Sequence, residues 1–480
     1  MEKRNIQKSP AKGFSQVFWR ACLALVVSAA VLGSLFPVPR LSVLGVVPTY
    51  FRAVMLLLTL VYLIRRAARR APARLPGMFF AAGAALLFWM LYAGAQLLLI
   101  PGLNLREGLK DIAALVLGLM CVYCFCEANA DARDFRFVVS VVRVLGTALI
   151  LFALFEITTG IHLPTSRFCD EAFLKSQWYV SRYGSGHVVW HTATGPYYNQ
   201  NDFALVLALL SPFFFPHKNS SGAVTALCYA GLVMIFAILA MCGSFIVTIA
   251  MIAGTGAFLI ITRASLVKHA GVWTTAALIQ IFISKQLYAL LIRLYGLLSG
   301  LLSGMRGGEA AYEAVDQTQT LGDALTDQVG NLLVRKGSLY YRLTIYVDGA
   351  KAFLRSRGLG LGPGGFQHYF TVNPSASGLV NPHNWWLEVL AQFGLPVFAA
   401  YAALYIAVFV KTLILYRKTR FRGFACVLAM LVVFAIGCIA PSSLIRVPYK
   451  WLPLALGVSM LRRDYAFPPD TQAPIRDMPL

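Results

Sequence analysis

Twelve long apolar runs, each about 16 to 28 residues and mostly bounded by charged or turn residues, dominate this chain. They lie at 16–36, 41–64, 77–100, 110–126, 137–160, 199–216, 222–242, 244–262, 271–288, 389–416, 423–440 and 446–461. A stretch of about 20 apolar residues is what a helix needs to cross a bilayer. Inside lipid every backbone N–H and C=O must be satisfied within the segment, so helices are the natural solution. The expected fold is therefore all-α: a polytopic transmembrane bundle of about 12 spans, with a long extracytoplasmic loop that contains short amphipathic helices. Composition agrees, since 58% of the residues are hydrophobic and 13% are charged, against roughly 25% charged in soluble domains.

The net charge of +22, from 42 Lys and Arg against 20 Asp and Glu, would suggest nucleic acid in a soluble protein. Here its distribution sets an orientation. Arg65, Arg66, Arg69, Arg70 and Arg74 fall in one connection, Arg417, Lys418, Arg420 and Arg422 in another, and Arg462 and Arg463 follow the last run. Short loops rich in Lys and Arg stay in the cytoplasm, so both termini are expected inside. On this topology the cytoplasmic segments hold 21 bases and 7 acids, a surplus of 14. Most of the charge is topology, and no nucleic-acid partner is expected. The first apolar run lacks a small-residue cleavage site and reads as a retained helix. Eight of the nine cysteines lie in or beside apolar runs, including Cys121, Cys124 and Cys126, and read as small buried hydrophobes.

Two segments break the helical rhythm, 161–198 and 289–388, both outside the cytoplasm on this topology. Loops this long are functional or disordered, and these are too aromatic for disorder. The chain divides accordingly into 1–198, with the first helices and first large outer loop; 199–440, the core with the long loop 289–388; and 441–480, the last span and tail.

Within the long loop, 339–355 (LYYRLTIYVDGAKAFLR) places Leu339, Leu343, Tyr346, Val347, Ala350, Phe353 and Leu354 on one helical arc, with Asp348, Lys351 and Arg355 opposite. Arg342 lies at the edge of that arc. Two readings stand: an interfacial helix whose Arg snorkels to the headgroups, or a guanidinium that grips a phosphate in bidentate fashion. GLGLGPGGF follows at 358–366, without the strand before it or the Lys-Ser/Thr ending that nucleotide loops require. Its glycines read as a turn of positive dihedral angles that brings backbone close to a ligand or to neighbouring helices. Then comes Asn381-Pro382-His383-Asn384-Trp385-Trp386, leading into a span that contains GLPVF at 394–398. A neutral imidazole at such a mouth is either a wetted surface residue or a base that takes a proton from a hydroxyl.

These three elements, in this order and spacing, resemble the O-antigen ligase and polymerase superfamily of bacterial membrane glycosyltransferases, which includes Wzy-type and teichuronic-acid-type polymerases. GPYYNQNDFALVLALL from Gly195 resembles the same superfamily's Asn-x-Asn-Asp-Phe-Ala helix start, although Asn199 or Asn201 with Asp202 would cap any helix. The resemblance implies a multi-pass protein of the bacterial cytoplasmic (inner) membrane with its active face outside. It implies metal-independent transfer, without cofactor, from an undecaprenyl-diphosphate-linked glycan donor to a glycan or lipid acceptor, among membrane lipids and alongside a chain-length regulator and a flippase. His383 would activate the acceptor and Arg342 would hold the leaving diphosphate, with Arg182, Asn384, Asn201 and Arg446 as further substrate-binding candidates. The chain departs from the superfamily at Cys242-Gly243-Ser244-Phe245, where a Ser-Arg pair is usual. The arginine missing at Phe245 leaves Arg182, Arg446 and Arg52 as alternative cations, or else Arg52, Arg143 and Glu156 form a structural charge group. A transporter or flippase of lipid-linked oligosaccharide is the alternative class, and a non-catalytic scaffold a third.

Overall fold

A computed structural model of the protein describes residues 10–33, 35, 48–69, 75–176, 179–180, 188–189, 191–216, 220–263, 313–314 and 337–462. It is helical, apart from a parallel pairing of Val188–Val189 with Glu313–Ala314. The helices are α1 (Pro10–Leu32), α2 (Tyr50–Arg69), α3 (Gly77–Leu99), α4 (Leu105–Ala128), α5 (Ala132–Thr159), α6 (Gln200–Leu210), α7 (Gly222–Met241), α8 (Phe245–Thr262), α9 (Gly337–Arg355), α10 (Gly365–Val372), α11 (Trp385–Thr419), α12 (Arg422–Gly437) and α13 (Trp451–Met460). Six of them, α3, α4, α5, α7, α8 and α11, are long and apolar enough to cross a membrane. The apolar parts of α1, α6 with its 3-10 extension, and α12 are shorter, and the last expected span is the ten-residue α13. The expected span at 271–288, Arg182, and the long loop before Gly337 apart from Glu313–Ala314 lie outside the described residues.

Helix ends differ from the apolar runs for local reasons. α4 starts at Leu105, ahead of the expected 110, because Asn104 caps it by accepting from the Glu107 N–H at 3.2 Å. Its first turns can then carry Arg106, Glu107, Lys110 and Asp111 at the mouth of the bundle. α6 is capped by Asn199, which accepts from the N–H groups of Asn201 and Asp202. Leu56, Leu60, Leu91, Leu151, Leu227 and Ile406 leave large apolar side chains exposed, a belt that suits lipid and would aggregate in water. The core beneath it is close-packed: α8 lies against α12, α13 against α4, and α3 against both α4 and α11.

The element that positions the site is a break in α11. Gly394 sits at φ 83°, ψ 173° inside this helix, and Pro396 follows. Pro396 has no N–H to give the Gln392 carbonyl, so that carbonyl instead accepts from Gly362 N at 2.8 Å. The exchange continues on both sides: Leu361 N donates to Ala391 O at 2.9 Å, and Leu395 N donates to Gly358 O at 2.9 Å. The glycine-rich segment is therefore stitched into the broken helix, which repairs backbone bonds that lipid could not satisfy. Gly358, Gly360, Gly362 and Gly364 all have positive φ, as the sequence suggests. At Gly360 an added Cβ would stand 2.5 Å from Gly394 N and 2.7 Å from Gln392 O. Gly360→Ala is expected to lower stability by roughly 1–3 kcal/mol, measured as a drop in the thermal unfolding midpoint of the purified protein.

Candidate active site

The glycine turn swings α9 back onto α11, but on a different face from the one its apolar pattern suggests. Ile345 is 0% exposed and Ala352 1%, whereas Leu343, Val347 and Leu354 are 42%, 54% and 70% exposed. Gly349 makes the difference: a Cβ there would stand 3.1 Å from the Phe366 ring and 3.3 Å from Leu387, so this face alone can approach closely. Ile345 and Ala352 join Phe366, Phe370 and Ala391 in a small core of their own. Of the apolar arc that the sequence lays on the membrane surface, Tyr346 and Phe353 also pack against this core, while Leu343, Val347 and Leu354 stay exposed. Arg342 turns inward and donates from Nη2 to the Ala440 carbonyl at 3.3 Å. Among the described residues no carboxylate lies within ion-pair distance of Arg342, so most of its five N–H groups remain open to an anion. Burial lowers its pKa, the usual cost of a guanidinium removed from water.

His383 is held by backbone on both sides. Its N–H donates to Ser442 O at 2.9 Å, and its carbonyl accepts from Tyr346 Oη at 2.8 Å, one turn along α9 from Arg342. Its φ is +49°, a conformation that a side chain other than glycine adopts at a cost and that often marks functional positions. Asn384 starts α11 by accepting from Trp386 N at 3.0 Å and Leu387 N at 3.3 Å, so its oxygen is committed to the cap. The imidazole Nδ1 is buried and has no hydrogen-bond partner among the described residues. Burial first, and then the nearby charge of Arg342, push the His383 pKa down to about 4, while the Ala440 carbonyl opposes them weakly. Arg342 and His383, 41 residues apart in sequence, are thus brought close enough for the guanidinium charge to act on the imidazole. The arrangement offers a neutral base beside a cation able to take a leaving anion.

The Ala440 carbonyl belongs to a segment in which the sequence singles out Arg446 alone. Residues 438–450 join α12 to α13 and reach every element of the site. Ser443 Oγ donates to Glu388, and Leu444 N donates to the same carboxylate at 2.9 Å. Arg446 donates from Nε to Asp111 at 2.7 Å, from Nη1 to the Glu107 carboxylate at 2.7 Å and from Nη2 to the Glu107 carbonyl at 2.9 Å. Asp111 also accepts from Gly364 N at 2.8 Å and from Gln392 Nε2 at 2.7 Å, which ties α4 to the glycine turn and to the break in α11. Tyr449 donates to Asp202 at 2.6 Å, the first turn of α6. Lys450 donates to the Ile445 carbonyl and stands over the Trp385 and Trp451 rings. The signal for this segment in the sequence is a polar PSSLIRVPYK stretch between two apolar runs. A cavity of about 160 Å³ opens here, lined among others by Asp111, Gly364, Asn381, Pro382, Glu388 and Arg446.

The other candidates are placed differently. Asn201 accepts from Ser244 Oγ at 3.0 Å, so the Asn-Asp helix start does lie against the segment where the superfamily arginine is missing. Arg143 and Glu156 do not pair. Arg143 donates to the Phe213 and Phe215 carbonyls at 2.7 and 3.1 Å, while Glu156 accepts from Thr194 N and Gly195 N at 3.0 and 2.7 Å and from Thr194 Oγ1 at 3.2 Å. Among the described residues Arg143 and Glu156 thus hold separate loops and do not form the structural pair that the sequence offers as an alternative. The nine cysteines are free thiols, eight of them buried and Cys169 exposed.

With this geometry in hand, comparison with known proteins narrows the reading. The chain is 23% identical over 402 residues to the teichuronic acid biosynthesis protein TuaE of Bacillus subtilis (strain 168), an alignment covering 79% of this chain and 72% of that protein. The superfamily-level resemblance is upheld. No protein-family profile matches the chain, and no solved structure matches it. Within the superfamily pattern, Arg342, the glycine turn and His383 fall on one cluster, while Asn201 and Ser244 form a second contact.

Proposed function

We propose that this protein is a membrane glycosyltransferase of surface polysaccharide biosynthesis, polymerising or ligating undecaprenyl-diphosphate-linked glycan at the outer face of the bacterial cytoplasmic membrane. The observation that carries the reading is the proximity of Arg342 to His383, with an Nδ1 that has no partner among the described residues and uncommitted guanidinium N–H groups. The similarity to a teichuronic acid biosynthesis protein supports the polysaccharide part of it.

In the proposed step an acceptor hydroxyl oxygen attacks the anomeric carbon of the donor sugar. The bond from that carbon to the diphosphate oxygen breaks, and the electron pair leaves with the lipid diphosphate. His383 takes the hydroxyl proton, and Arg342 balances the charge that builds on the leaving group. Fixed donors aimed at developing charge typically supply the greatest share of an enzyme's rate acceleration. The topology supports the outer face: the basic connections at Arg65, Arg66 and Arg417–Arg422 lie away from this cluster, as the inside rule requires.

The test is transfer by the purified full chain in lipid nanodiscs, given an undecaprenyl-diphosphate-linked repeat unit and scored by product length. Products longer than the repeat unit, formed equally with and without EDTA, are expected. Movement of intact donor across the bilayer without any new glycosidic bond would instead identify a flippase.

A further inference from the structure

The cavity bordered by Asn381 and Pro382, of about 160 Å³, carries more hydrogen-bonding capacity than the fold uses. Asn381 and Gln367 line it, and among the described residues neither side-chain amide makes a hydrogen bond. An amide group both donates and accepts. Ser443 Oγ gives its proton to Glu388 and keeps its lone pairs. A carboxylate has about four acceptor positions. Glu388 uses two, for Ser443 Oγ and Leu444 N, while Asp111 uses three, for Arg446 Nε, Gly364 N and Gln392 Nε2. Apolar surface comes from Phe366, Pro382 and Ile445.

Charge in the lining is lopsided. Glu388 and Asp111 are both buried, and the one cation among the lining residues, Arg446, is already paired with Asp111 and with Glu107. Lys450 is not among the lining residues and donates to the Ile445 carbonyl. A ligand hydroxyl that enters meets free amides and spare acceptor positions. A ligand carboxylate meets two fixed carboxylates, and like charges set side by side reject a wrong partner. What fits is an uncharged molecule with hydroxyl groups around its edge and C–H surface on its faces, which describes a pyranose ring.

We propose that this cavity seats one sugar residue of the acceptor and selects an uncharged pyranose, neutral or N-acetylated, over a hexuronate, with Asn381, Gln367 and Glu388 reading its hydroxyls. The superfamily resemblance leaves the acceptor open between glycan and lipid and says nothing of its charge. Asn381 and Pro382 immediately precede His383, so a sugar held here lies beside the base. Its assignment as the acceptor rests on the function proposed above; the binding preference does not.

The experiment titrates methyl glucoside, methyl N-acetylglucosaminide and methyl glucuronide against the full chain in nanodiscs, read by saturation-transfer NMR. The wild type is expected to bind the first two roughly tenfold or more tighter than the glucuronide. Asn381→Ala and Gln367→Ala, with unfolding midpoints like the wild type, should each weaken the uncharged glycosides by roughly two- to tenfold, the scale of one hydrogen bond. Gln367 is exposed, so Gln367→Arg can add a cation at the rim without disturbing the core, and it should narrow the preference by strengthening the glucuronide. The site is overturned if the wild type binds none of the three or binds the glucuronide as tightly as the others, or if both alanine variants bind as the wild type does. The two claims fail separately. A wild type that shows the preference but forms no glycosidic bond from the lipid-linked repeat unit contradicts the proposed function and leaves the sugar site standing. Transfer without the preference overturns the site alone.

Discussion

Arg342→Ala is expected to reduce glycan transfer by about 10²–10³-fold, the scale on which removal of a single charge-stabilising donor is felt, and to leave the fold nearly intact. Arg342 donates to the Ala440 carbonyl at 3.3 Å, so its structural contribution is at the low end of about 0.5–1.5 kcal/mol. Arg342→Lys should restore part of the activity, because an ammonium keeps the charge and loses the planar fork that matches a diphosphate. Arg446 provides the contrast. Its guanidinium joins Glu107 and the buried Asp111, so Arg446→Ala strands a carboxylate and should lower the unfolding midpoint along with activity. Activity per folded molecule, read with the midpoint, separates the two arginines. An Arg342→Ala protein as active as wild type would remove this residue from the site.

His383 carries the second large effect, and its environment gives the effect a pH signature. General bases contribute about 10²–10⁴-fold, so His383→Ala should lose activity on that scale. In the free protein its pKa lies at about 4, lowered by burial and by Arg342. The neutral ring is therefore present from pH 8 down to about 5, and kcat/KM should stay level over that range and fall through pH 4. An unperturbed histidine would place that fall near 6.5. Diphosphate bound at Arg342 would offset the charge that depresses His383, so the acidic limb of kcat should lie at higher pH than that of kcat/KM. The linkage to stability has the opposite partner: the unfolded chain binds a proton near pH 6.5 and the folded one only near 4, so His383 removes stability as pH falls through that window.

How much of this is legible in the sequence follows from the range of the interactions. The bundle is a local property, written in runs of apolar residues: the described helices overlap those runs, and six of them are long and apolar enough to cross a membrane. The glycine turn is equally legible, since positive φ is a property of single residues. The break in α11 is visible as GLPVF, but its role is not, because the exchange of backbone bonds couples 358–362 to 391–395. The packed face of α9 escapes the pattern for a related reason. Periodicity favours the larger stripe of Leu343, Val347 and Leu354, whereas close packing favours the face with Gly349, and only the partner side chains of Phe366 and Leu387 reveal that preference. The 438–450 segment leaves little trace because it acts through carbonyls and N–H groups, which nearly every residue has. Arg446 stands out as a cation, while the carboxylates that hold it, Glu107 and Asp111, stand more than 330 residues away.

In the proposed mechanism His383 acts on the proton of the acceptor once the donor is in place. The most direct measurement is single-turnover transfer by the purified His383→Ala protein, with donor occupancy determined in the same nanodiscs. Donor binding like that of the wild type and a transfer rate about 10²–10⁴-fold lower are expected. Transfer at the wild-type rate with the donor bound would contradict the role of His383 as the base.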